Sequence, residues 1–146
     1  MNNGIPLVSV IIPCYNEEDY ILGSINSILS QDYKNIEIIV IDDNSTDTTV
    51  KKINSLNNNQ INLIKKAHNK GVVDSLNLGI NQAKGKYIAR MDADDISLPS
   101  RISKQVELME SNKQIVVCGT GHYFMNYKDD DYREVIPLAN DNDIKK

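Results

Sequence analysis

The stretch Tyr87-Ile-Ala-Arg-Met-Asp-Ala-Asp-Asp95 joins a strand-like apolar run directly to a cluster of carboxylates. Tyr87–Met91 predicts a mostly buried strand that ends at Asp92. Carboxylates at the end of a buried strand repel one another and need a counter-charge. Oxygen ligands of this kind suit Mg²⁺ or Mn²⁺, which commonly binds substrate phosphates as well. The alternative is a solvated turn, because Asp is frequent in turns.

Composition narrows the class of protein. The 146 residues are 40% hydrophobic and 25% charged, which is typical of one soluble globular domain. The formal charge of −4 argues against a general nucleic-acid binder. The apolar runs are too short to span a bilayer and no signal-peptide pattern is visible, so we expect a cytoplasmic protein. Cys14 and Cys118 are then expected to be reduced.

Short β-branched runs alternate with helix-like segments along the chain. The predicted strands are Leu7–Ile12 (stopped by Pro13), Ile36–Ile41, Ile61–Ile64, Lys86–Met91 and Ile115–Cys118, with a further strand or hairpin arm at Tyr123–Tyr127. The predicted helices are Glu17–Ser30, a segment capped by Ser45 or Thr46 and running to about Leu56, Val72–Ala83, and a segment from Pro99 or Ser100 to about Ser111. Apolar runs without alternation are typical of strands buried on both faces.

This alternation predicts an α/β fold with a mostly parallel, Rossmann-like sheet and helices on both faces. We expect residues 1–127 to form this domain and residues 128–146 to form a charged tail that starts with a turn at Lys128–Arg133. In the third helix, the apolar positions are expected to face the sheet, and Gly85 to end the helix in a left-handed conformation. Those apolar positions are Val72, Val73, Leu76, Ile80 and Ala83.

Polar clusters follow three of the predicted strands. They are Tyr15-Asn16-Glu17, Asp42-Asp43 and Asp92–Asp95. Ligands of open α/β sheets bind beyond the carboxyl ends of the strands, so we expect the three clusters to lie along one edge. Asp43 could accept a hydrogen bond from a base or a ribose, or could simply cap a helix. Tyr15 could stack on a base, or could be an ordinary loop residue.

The basic loop Lys65–Gly71 has two interpretations. It could be a solvated surface, or it could contact a diphosphate, because it leads into a helix N-terminus. Arg90 could pair with the neighbouring carboxylates or point away from them. No glycine-rich phosphate-binding fingerprint is present. Cys14 has no neighbouring base in the sequence and is not expected to be a nucleophile.

Together these pieces resemble the family 2 inverting glycosyltransferases, which have the A-type glycosyltransferase fold. The resemblance covers about residues 7 to 120 and depends on the order and spacing of the pieces. They are Val8-Ser-Val-Ile-Ile-Pro-Cys-Tyr-Asn-Glu17, Ser27-Ile-Leu-Ser-Gln31, Ile39-Val-Ile-Asp-Asp-Asn-Ser-Thr-Asp47, Asn69-Lys-Gly71, Asn77-Leu-Gly-Ile80 and Ala83-Lys-Gly-Lys-Tyr-Ile-Ala-Arg-Met-Asp-Ala-Asp-Asp95.

The resemblance implies roles for individual residues. Pro13, Tyr15 and Glu17 would line a nucleotide pocket, and Asp43 would bind the base, expected to be uracil. Asp92 and Asp94 are the ends of an Asp-x-Asp motif, as in the family. Asp92 would face the ribose or the donor sugar, Asp94 would be the direct ligand of Mg²⁺ or Mn²⁺, and Asp95 would act indirectly.

The reaction implied by the resemblance is transfer of a sugar, with inversion, from a UDP-sugar to the hydroxyl of a saccharide or lipid-linked acceptor. It would serve polysaccharide or cell-surface glycan synthesis, with peripheral membrane association of the full-length protein. Where many members have Ala-Arg, this chain has Ser75-Leu76. If that arginine helps to hold the diphosphate, the affinity falls unless another cation replaces it, namely Lys65, Lys66, Lys70 or Arg90. The catalytic base is expected beyond Lys146, in an acceptor-binding region of which residues 128–146 would be the start.

Three alternatives remain open at this point. The chain could bind a donor without turnover. A sugar-phosphate nucleotidyltransferase also uses carboxylate-bound metal, but it needs a Gly-rich, Arg-containing loop where this chain has Pro13-Cys-Tyr-Asn-Glu17. A phosphoacceptor receiver domain also groups aspartates at strand ends, but its acidic pair follows the first strand, and here the pair follows the second.

Overall fold

The computed structural model describes residues 4–125 and 132–135. These residues fall into two compact units, which divide between Ser103 and Lys104. The strands of the first unit are β1 (Val8–Cys14), β2 (Ile36–Asp42), β3 (Ile61–Lys65) and β4 (Tyr87–Arg90). The helices are α1 (Ile21–Leu29), α2 (Thr49–Ser55), α3 (Val72–Gln82) and α4 (Arg101–Ser111), of which α4 starts in the first unit and ends in the second.

The four strands of the first unit form one parallel sheet in the order β3-β2-β1-β4. The chain moves outward from β1 to β3 and then returns across the sheet to β4. Because the crossovers are right-handed, α1 and α2 lie on one face of the sheet and α3 lies on the other. In agreement, α1 contacts α2, and α3 packs on β1 and β2. The predicted α/β fold, with a mostly parallel sheet and helices on both faces, is confirmed.

β1 is buried along its whole length and continues through Pro13, where we expected it to stop. The reason is that the backbone groups of successive residues in a strand point alternately to its two neighbours. The even-numbered Val8 and Cys14 form hydrogen bonds on the β2 side, whereas the backbone oxygen of the odd-numbered Ile11 accepts the Met91 N–H on the β4 side. The missing N–H of Pro13 thus faces the β4 side, where pairing has already ended at Arg90. No ladder bond is lost, and the strand tolerates proline.

β4 is less buried than predicted, because it is the edge strand of the sheet formed by the described residues. Its side chains alternate between partly buried and exposed, and Ile88 is 49% exposed. Met91, just after the strand, and Ala93 are buried like core residues. The acidic cluster therefore follows the edge of this sheet rather than its centre.

Two helices start later than predicted. α1 begins at Ile21 rather than Glu17, whose backbone oxygen accepts the N–H groups of Tyr20 and Ile21. α2 begins at Thr49 rather than after Ser45 or Thr46. Both residues bond instead to Asn16, in the loop that follows β1. These local polar bonds compete with a longer helix.

The side of α3 that faces the sheet is not the predicted one. Its buried residues are Ser75 and Gly79, and Gly79 lies directly over Ile11. Val72, Val73 and Ile80 are 50%, 69% and 49% exposed. Small residues let the helix approach β1 more closely than a valine stripe would, so packing distance outweighed the apolar pattern.

Gly85 does not end α3 in a left-handed conformation as predicted, since positive φ among the described glycines is confined to Gly4 and Gly71. Its role is close approach to β1. The N–H of Gly85 donates to Ser9 Oγ at 2.8 Å, and an added Cβ would lie 2.6 Å from the Ser9 backbone nitrogen.

We therefore expect Gly85→Ala to lower the free energy of unfolding by about 1–3 kcal/mol, because backbone atoms must move to admit the methyl group. Chemical denaturation monitored by circular dichroism measures the change. Gly119→Ala is the matched control, since nothing lies within 4 Å of the methyl position there. Equal stabilities for the two variants would contradict the close packing at Gly85.

The second unit contains a two-stranded antiparallel sheet of β5 (His122–Met125) and β6 (Tyr132–Val135). β5 confirms the predicted strand or hairpin arm, and β6 replaces the end of the predicted turn at Lys128–Arg133. The predicted strand Ile115–Cys118 is wrong. Val116 and Val117 are 82% and 83% exposed, and within the described ranges no strand pairs with this segment, so β propensity alone did not suffice.

Most of the predicted tail, residues 128–131 and 136–146, lies outside the described residues. The proposed domain boundary at residue 127 therefore stays a prediction. Within residues 4–125 and 132–135, no helix combines the length and apolar character needed to cross a membrane.

Candidate functional site

A cleft of about 230 Å³ opens at the carboxyl ends of the parallel strands. It is lined by Pro13, Cys14, Tyr15, Glu17, Asp43, Val72, Ser75, Asp92, Ala93 and Asp94. β1, β2 and β4 each deliver a polar residue to it, as the direction of a parallel sheet requires. The expectation that three sequence clusters meet along one edge is confirmed.

All six residues that the sequence indicated for a nucleotide and metal site line this cleft. They are Pro13, Tyr15, Glu17, Asp43, Asp92 and Asp94. Four other lining residues were not predicted for the site. Cys14 lies between Pro13 and Tyr15, and Ala93 lies between Asp92 and Asp94, so their position beside predicted residues could have indicated them. Val72 and Ser75 had none, because the helical pattern assigned Val72 to the core.

The loop after β1 is fixed by the loop after β2. Asn16, with φ of 55°, donates its backbone N–H to Ser45 Oγ at 2.9 Å and accepts the Thr46 N–H on Oδ1 at 2.8 Å. Asparagine tolerates this left-handed conformation better than most residues do. Tyr15, 45% exposed, is therefore presented at the cleft by a loop with defined backbone bonds.

The next residues of the same loop are held by the start of α2. The Glu17 N–H donates to Thr49 Oγ1 at 2.8 Å, and the Glu18 N–H donates to Asp47 Oδ2 at 3.2 Å. Glu18 Oε2 in turn accepts the Thr48 N–H at 3.0 Å. These bonds hold the backbone at Glu17, whose side chain lines the cleft.

Asp43 also lines the cleft, is 4% exposed and accepts bonds on both of its carboxylate oxygens. Oδ1 accepts the Lys70 N–H at 2.9 Å and lies 2.6 Å from Lys66 Nζ, while Oδ2 accepts the Gly71 N–H at 2.7 Å. Burial tends to raise the pKa of Asp43, but these bonds outweigh it and lower the pKa below 3.8. Each carboxylate oxygen has two lone pairs, so Oδ2 retains room for one further donor.

Lys66 is the main residue whose role sequence reasoning missed. Neither interpretation of the basic loop applies to it, since its side chain is 7% exposed and bridges Asp43 to Asp74, at 2.6 and 2.7 Å. Its Nζ also donates to Ser75 Oγ at 3.2 Å. Burial tends to lower the pKa of Lys66, but the two carboxylates raise it above 10.5. This ammonium group is therefore committed to fixing Asp43.

The remaining basic residues of the loop are exposed. Lys65, His68 and Lys70 all lie on the surface, which agrees with the solvated interpretation of that part of the loop. Gly71 starts α3 with φ of 85°, a conformation that glycine adopts without strain. The loop thus reaches the cleft through the backbone of Lys70 and Gly71, which bind Asp43.

The carboxylates after β4 differ in their partners. Asp92 Oδ1 lies 2.6 Å from the guanidinium of Arg90, so this arginine is a charge partner for the cluster. For Asp94, no hydrogen bond or ion pair with another described residue is present. Asp94 is exposed and lines the cleft, so its carboxylate oxygens are accessible to a ligand.

The charges around Asp94 are not balanced. Partial burial, and then the charges of Asp94 and Asp47, raise the pKa of Glu17. Burial, and then Asp92 and Asp94, raise the pKa of Asp95. Crowded carboxylates with hard oxygen donors fit a divalent cation such as Mg²⁺ or Mn²⁺. In the described part of the chain, no three acidic, His or Cys side chains form a metal cage. An ion that is bound mainly by one carboxylate and by substrate phosphates does not need such a cage of protein side chains.

Cys14 is a poor nucleophile. Burial, and then the charges of Asp42 and three other acids, raise the pKa of its thiol to about 12. The thiol is therefore protonated at neutral pH, in agreement with the expectation from the sequence. Both Cys14 and Cys118 are free thiols, as predicted.

Comparison with known proteins gives an independent assignment. The family model described as Glycosyl transferase family 2 matches residues 9–144. Among curated relatives, "UDP-Glc:alpha-D-GlcNAc-diphosphoundecaprenol beta-1,3-glucosyltransferase WfaP" of Escherichia coli is 46% identical over 107 residues, covering 73% of this chain and 43% of the relative.

Solved structures share the fold. TarS 1–349 of S. aureus in complex with UDP-GlcNAc superposes with a TM-score of 0.70 at 28% identity, covering 73% of this chain and 32% of that one. The mannosyltransferase PcManGT of Pyrobaculum calidifontis, in complex with GDP-Man and Mn²⁺, gives 0.63 at 28% identity, covering 70% of this chain and 31% of that one. The present chain spans between 36% and 47% of the length of the curated relatives that it matches.

Proposed function

Because this chain belongs to glycosyl transferase family 2, we propose that it binds the nucleotide-sugar donor of an inverting, metal-assisted glycosyltransferase. The donor is a UDP-sugar, and the acceptor hydroxyl belongs to a saccharide or a lipid-linked saccharide. The product contributes to a polysaccharide or cell-surface glycan. Transfer is proposed for the whole protein, since the chain spans less than half the length of its relatives.

The observation that carries this proposal is a cleft whose two carboxylates follow strands on either side of β1. Asp43, held ionised by Lys66, follows β2, and the accessible Asp94 follows β4. A nucleoside diphosphate has a hydrogen-bond donor on its base and negative charge on its phosphates. It therefore matches a fixed acceptor beyond one strand and a cation-binding carboxylate beyond the other.

The base assignment follows from the chemistry of Asp43. The remaining lone pair of Oδ2 can accept an N–H from a uracil ring, whereas the corresponding ring nitrogen of cytosine offers only an acceptor. Tyr15 stacks on the base, and Pro13 and Glu17 border it. Support comes from WfaP, whose name includes UDP-Glc, and from TarS, which was crystallised with UDP-GlcNAc.

Asp94 is the proposed direct ligand of Mg²⁺ or Mn²⁺, and Asp92 faces the ribose or the donor sugar. When bound, the ion supplies Lewis-acid stabilisation of the negative charge that develops on the leaving diphosphate. Asp95 acts indirectly, through the charge of the cluster. The PcManGT structure, which contains Mn²⁺ with GDP-Man, supports a divalent ion in this fold.

In the transfer step, an acceptor hydroxyl attacks the anomeric carbon of the donor as the bond to the diphosphate breaks. A general base takes the hydroxyl proton. We assign that base to no described residue and propose that it lies beyond Lys146. This chain alone then binds the donor without turnover. We propose a cytoplasmic location, at the cytoplasmic face of the membrane where the acceptor is lipid-linked.

Isothermal titration calorimetry of the 146-residue chain with UDP tests the proposal. We expect UDP to bind more tightly with Mn²⁺ or Mg²⁺ than with excess EDTA. UDP should also bind more tightly than CDP under the same conditions, because the ring nitrogen of cytosine lacks the N–H that uracil donates to Asp43. Circular dichroism confirms that the chain is folded. Absence of UDP binding by the folded chain with metal would contradict the proposed function.

A further inference from the structure

One face of α1 carries polar residues where a core-facing helix normally has apolar ones. Ser24, Ser27 and Gln31 recur at the spacing of one helical face, and Gln31 follows the end of the helix. Ser24 and Gln31 are both 0% exposed. Ser27 and Gln31 belong to the piece Ser27-Ile-Leu-Ser-Gln31, to which the donor site assigns no role.

These residues bond to the segment that contains the acidic cluster. Ser24 Oγ donates to the backbone oxygen of Asp92 at 3.3 Å. Ser27 Oγ accepts the Ser97 N–H at 2.9 Å. The acidic residues Asp94 and Asp95 thus lie between two points at which the backbone is bound to α1.

Gln31 forms the largest set of these contacts. Its Nε2 lies 2.7 Å from the backbone oxygen of Leu98, 3.1 Å from that of Ser27 and 3.2 Å from Ser97 Oγ. Its Oε1 accepts the Ile102 N–H at 3.1 Å. A buried amide is costly unless its hydrogen bonds are made, and here both ends of the group have partners.

The neighbouring residue strengthens the same attachment. The Asp32 N–H donates to the backbone oxygen of Pro99 at 2.9 Å, and Ser103 Oγ donates to Asp32 Oδ2 at 3.0 Å. Segment 97–103 is therefore bound to the end of α1 along its length. Within the loop itself, the Asp95 N–H donates to the backbone oxygen of Asp92 at 3.3 Å, while the side chains of Asp94 and Asp95 are exposed.

We propose that Gln31 is a positioning residue, which holds the loop Asp92–Ser97 so that the Asp94 carboxylate is preorganised for the metal–diphosphate group. This inference rests on the proposed donor-binding function. Gln31 is not a catalytic residue, because it reaches the site only through the backbone that it binds. A misplacement of about 1 Å in such a group costs on the order of 100-fold in a reacting site.

The test separates the metal-dependent part of binding from the rest. Calorimetry measures the UDP affinity of the 146-residue chain with Mn²⁺ and with EDTA, and their ratio is the metal-dependent gain. We expect Gln31→Met to reduce this gain by roughly tenfold or more, because the loop is no longer fixed. The affinity for UDP in EDTA should stay within about twofold, since the cleft residues on β1 and β2 are unchanged.

Gln60→Met is the matched control. It makes the same chemical change at a glutamine whose Nε2 donates to the Ile36 backbone oxygen at 3.2 Å, away from the cleft. We expect its metal-dependent gain to equal that of the unsubstituted chain. Ser27→Ala removes the acceptor of the Ser97 N–H and should show the same selective loss as Gln31→Met, which provides a second variant if the first does not fold.

Amide hydrogen exchange of the metal-free chain supplies a readout that does not involve ligand. Gln31→Met should speed exchange in peptides covering residues 92–102 and leave those covering β3 and α3 unchanged. A folded Gln31→Met or Ser27→Ala chain that keeps the full metal-dependent gain overturns the inference, as does a parallel loss of affinity in Mn²⁺ and in EDTA. If the unsubstituted chain shows no metal-dependent gain, the proposed function fails instead.

Discussion

Asp94→Ala should lower the Mn²⁺-dependent affinity for UDP by roughly 100-fold or more, because it removes the direct ligand of the ion. In the structure, the Asp94 carboxylate is exposed in the cleft and lacks a described partner, whereas Asp92 is already paired with Arg90. The affinity for UDP in EDTA should change little or rise slightly, since a repelling charge is lost. Calorimetry with and without Mn²⁺ measures both quantities.

Asp95→Ala is the control that tests the assignment most sharply. It removes the same functional group one residue later, in the same exposed segment. We expect the Mn²⁺-dependent affinity for UDP to fall by less than about tenfold, because Asp95 acts only through local charge. Asp19→Ala, at an exposed acid that does not line the cleft, should have no effect. An unchanged affinity for Asp94→Ala, or a larger loss for Asp95→Ala, would contradict Asp94 as the direct ligand.

Asp43→Ala should lower the free energy of unfolding by about 3–5 kcal/mol, as is found when one partner of a buried ion pair is removed. Among the described residues, the substitution leaves the Lys66 ammonium, 7% exposed, with Asp74 as its charge partner. It removes the acceptor of the Lys70 N–H and leaves the Gly71 N–H with the longer bond to Asn69 Oδ1, at 3.2 Å. Urea denaturation at neutral pH measures the loss. Asp19→Ala should stay within about 0.5 kcal/mol of the unsubstituted chain.

The effect of Asp43 should depend on pH in a defined direction. Its pKa in the folded chain is lower than its ordinary value of 3.8. The stabilisation by the ionised carboxylate is therefore present above the unfolded pKa and is lost as the pH falls through the folded pKa. The difference in stability between the unsubstituted chain and Asp43→Ala should be constant from pH 7 to about pH 5 and shrink below about pH 4. A difference that grows on acidification would contradict this account.

Local sequence was a good guide to the sheet. β-Branched runs such as Leu7–Ile12 and Ile36–Ile41 predicted strands buried on both faces because they lack alternation. The structure confirms this for β1, which is buried throughout, and for β2, in which all residues except Glu37 are buried. The parallel direction then placed Tyr15, Asp43 and Asp94 at one edge, before any distance was known. This placement depends only on the direction of the strands, so it holds even where the predicted ends of the strands and helices are wrong by several residues.

Local sequence was a poor guide where partners decide the outcome. Ile115–Cys118 has the composition of a strand but no pairing partner among the described residues, and Val117 is 83% exposed. α3 has a valine-rich stripe, yet Ser75 and Gly79 face the sheet because the helix lies close to Ile11. In both cases the controlling quantity is a distance to a residue far away in the chain.

By itself, the sequence determined the α/β class and the edge of the sheet where the site lies, because periodicity and chain direction are local properties. The resemblance to the family 2 glycosyltransferases implied six residues of the cleft. Only the tertiary structure decided which charges are balanced. In the sequence, Lys66 is one of several basic loop residues, but folding places it between Asp43 and Asp74. Gln31 is only the end of the piece Ser27-Ile-Leu-Ser-Gln31, but folding places its amide against Leu98 and Ile102. Burial and partner distance set these roles, and neither can be read from neighbours along the chain.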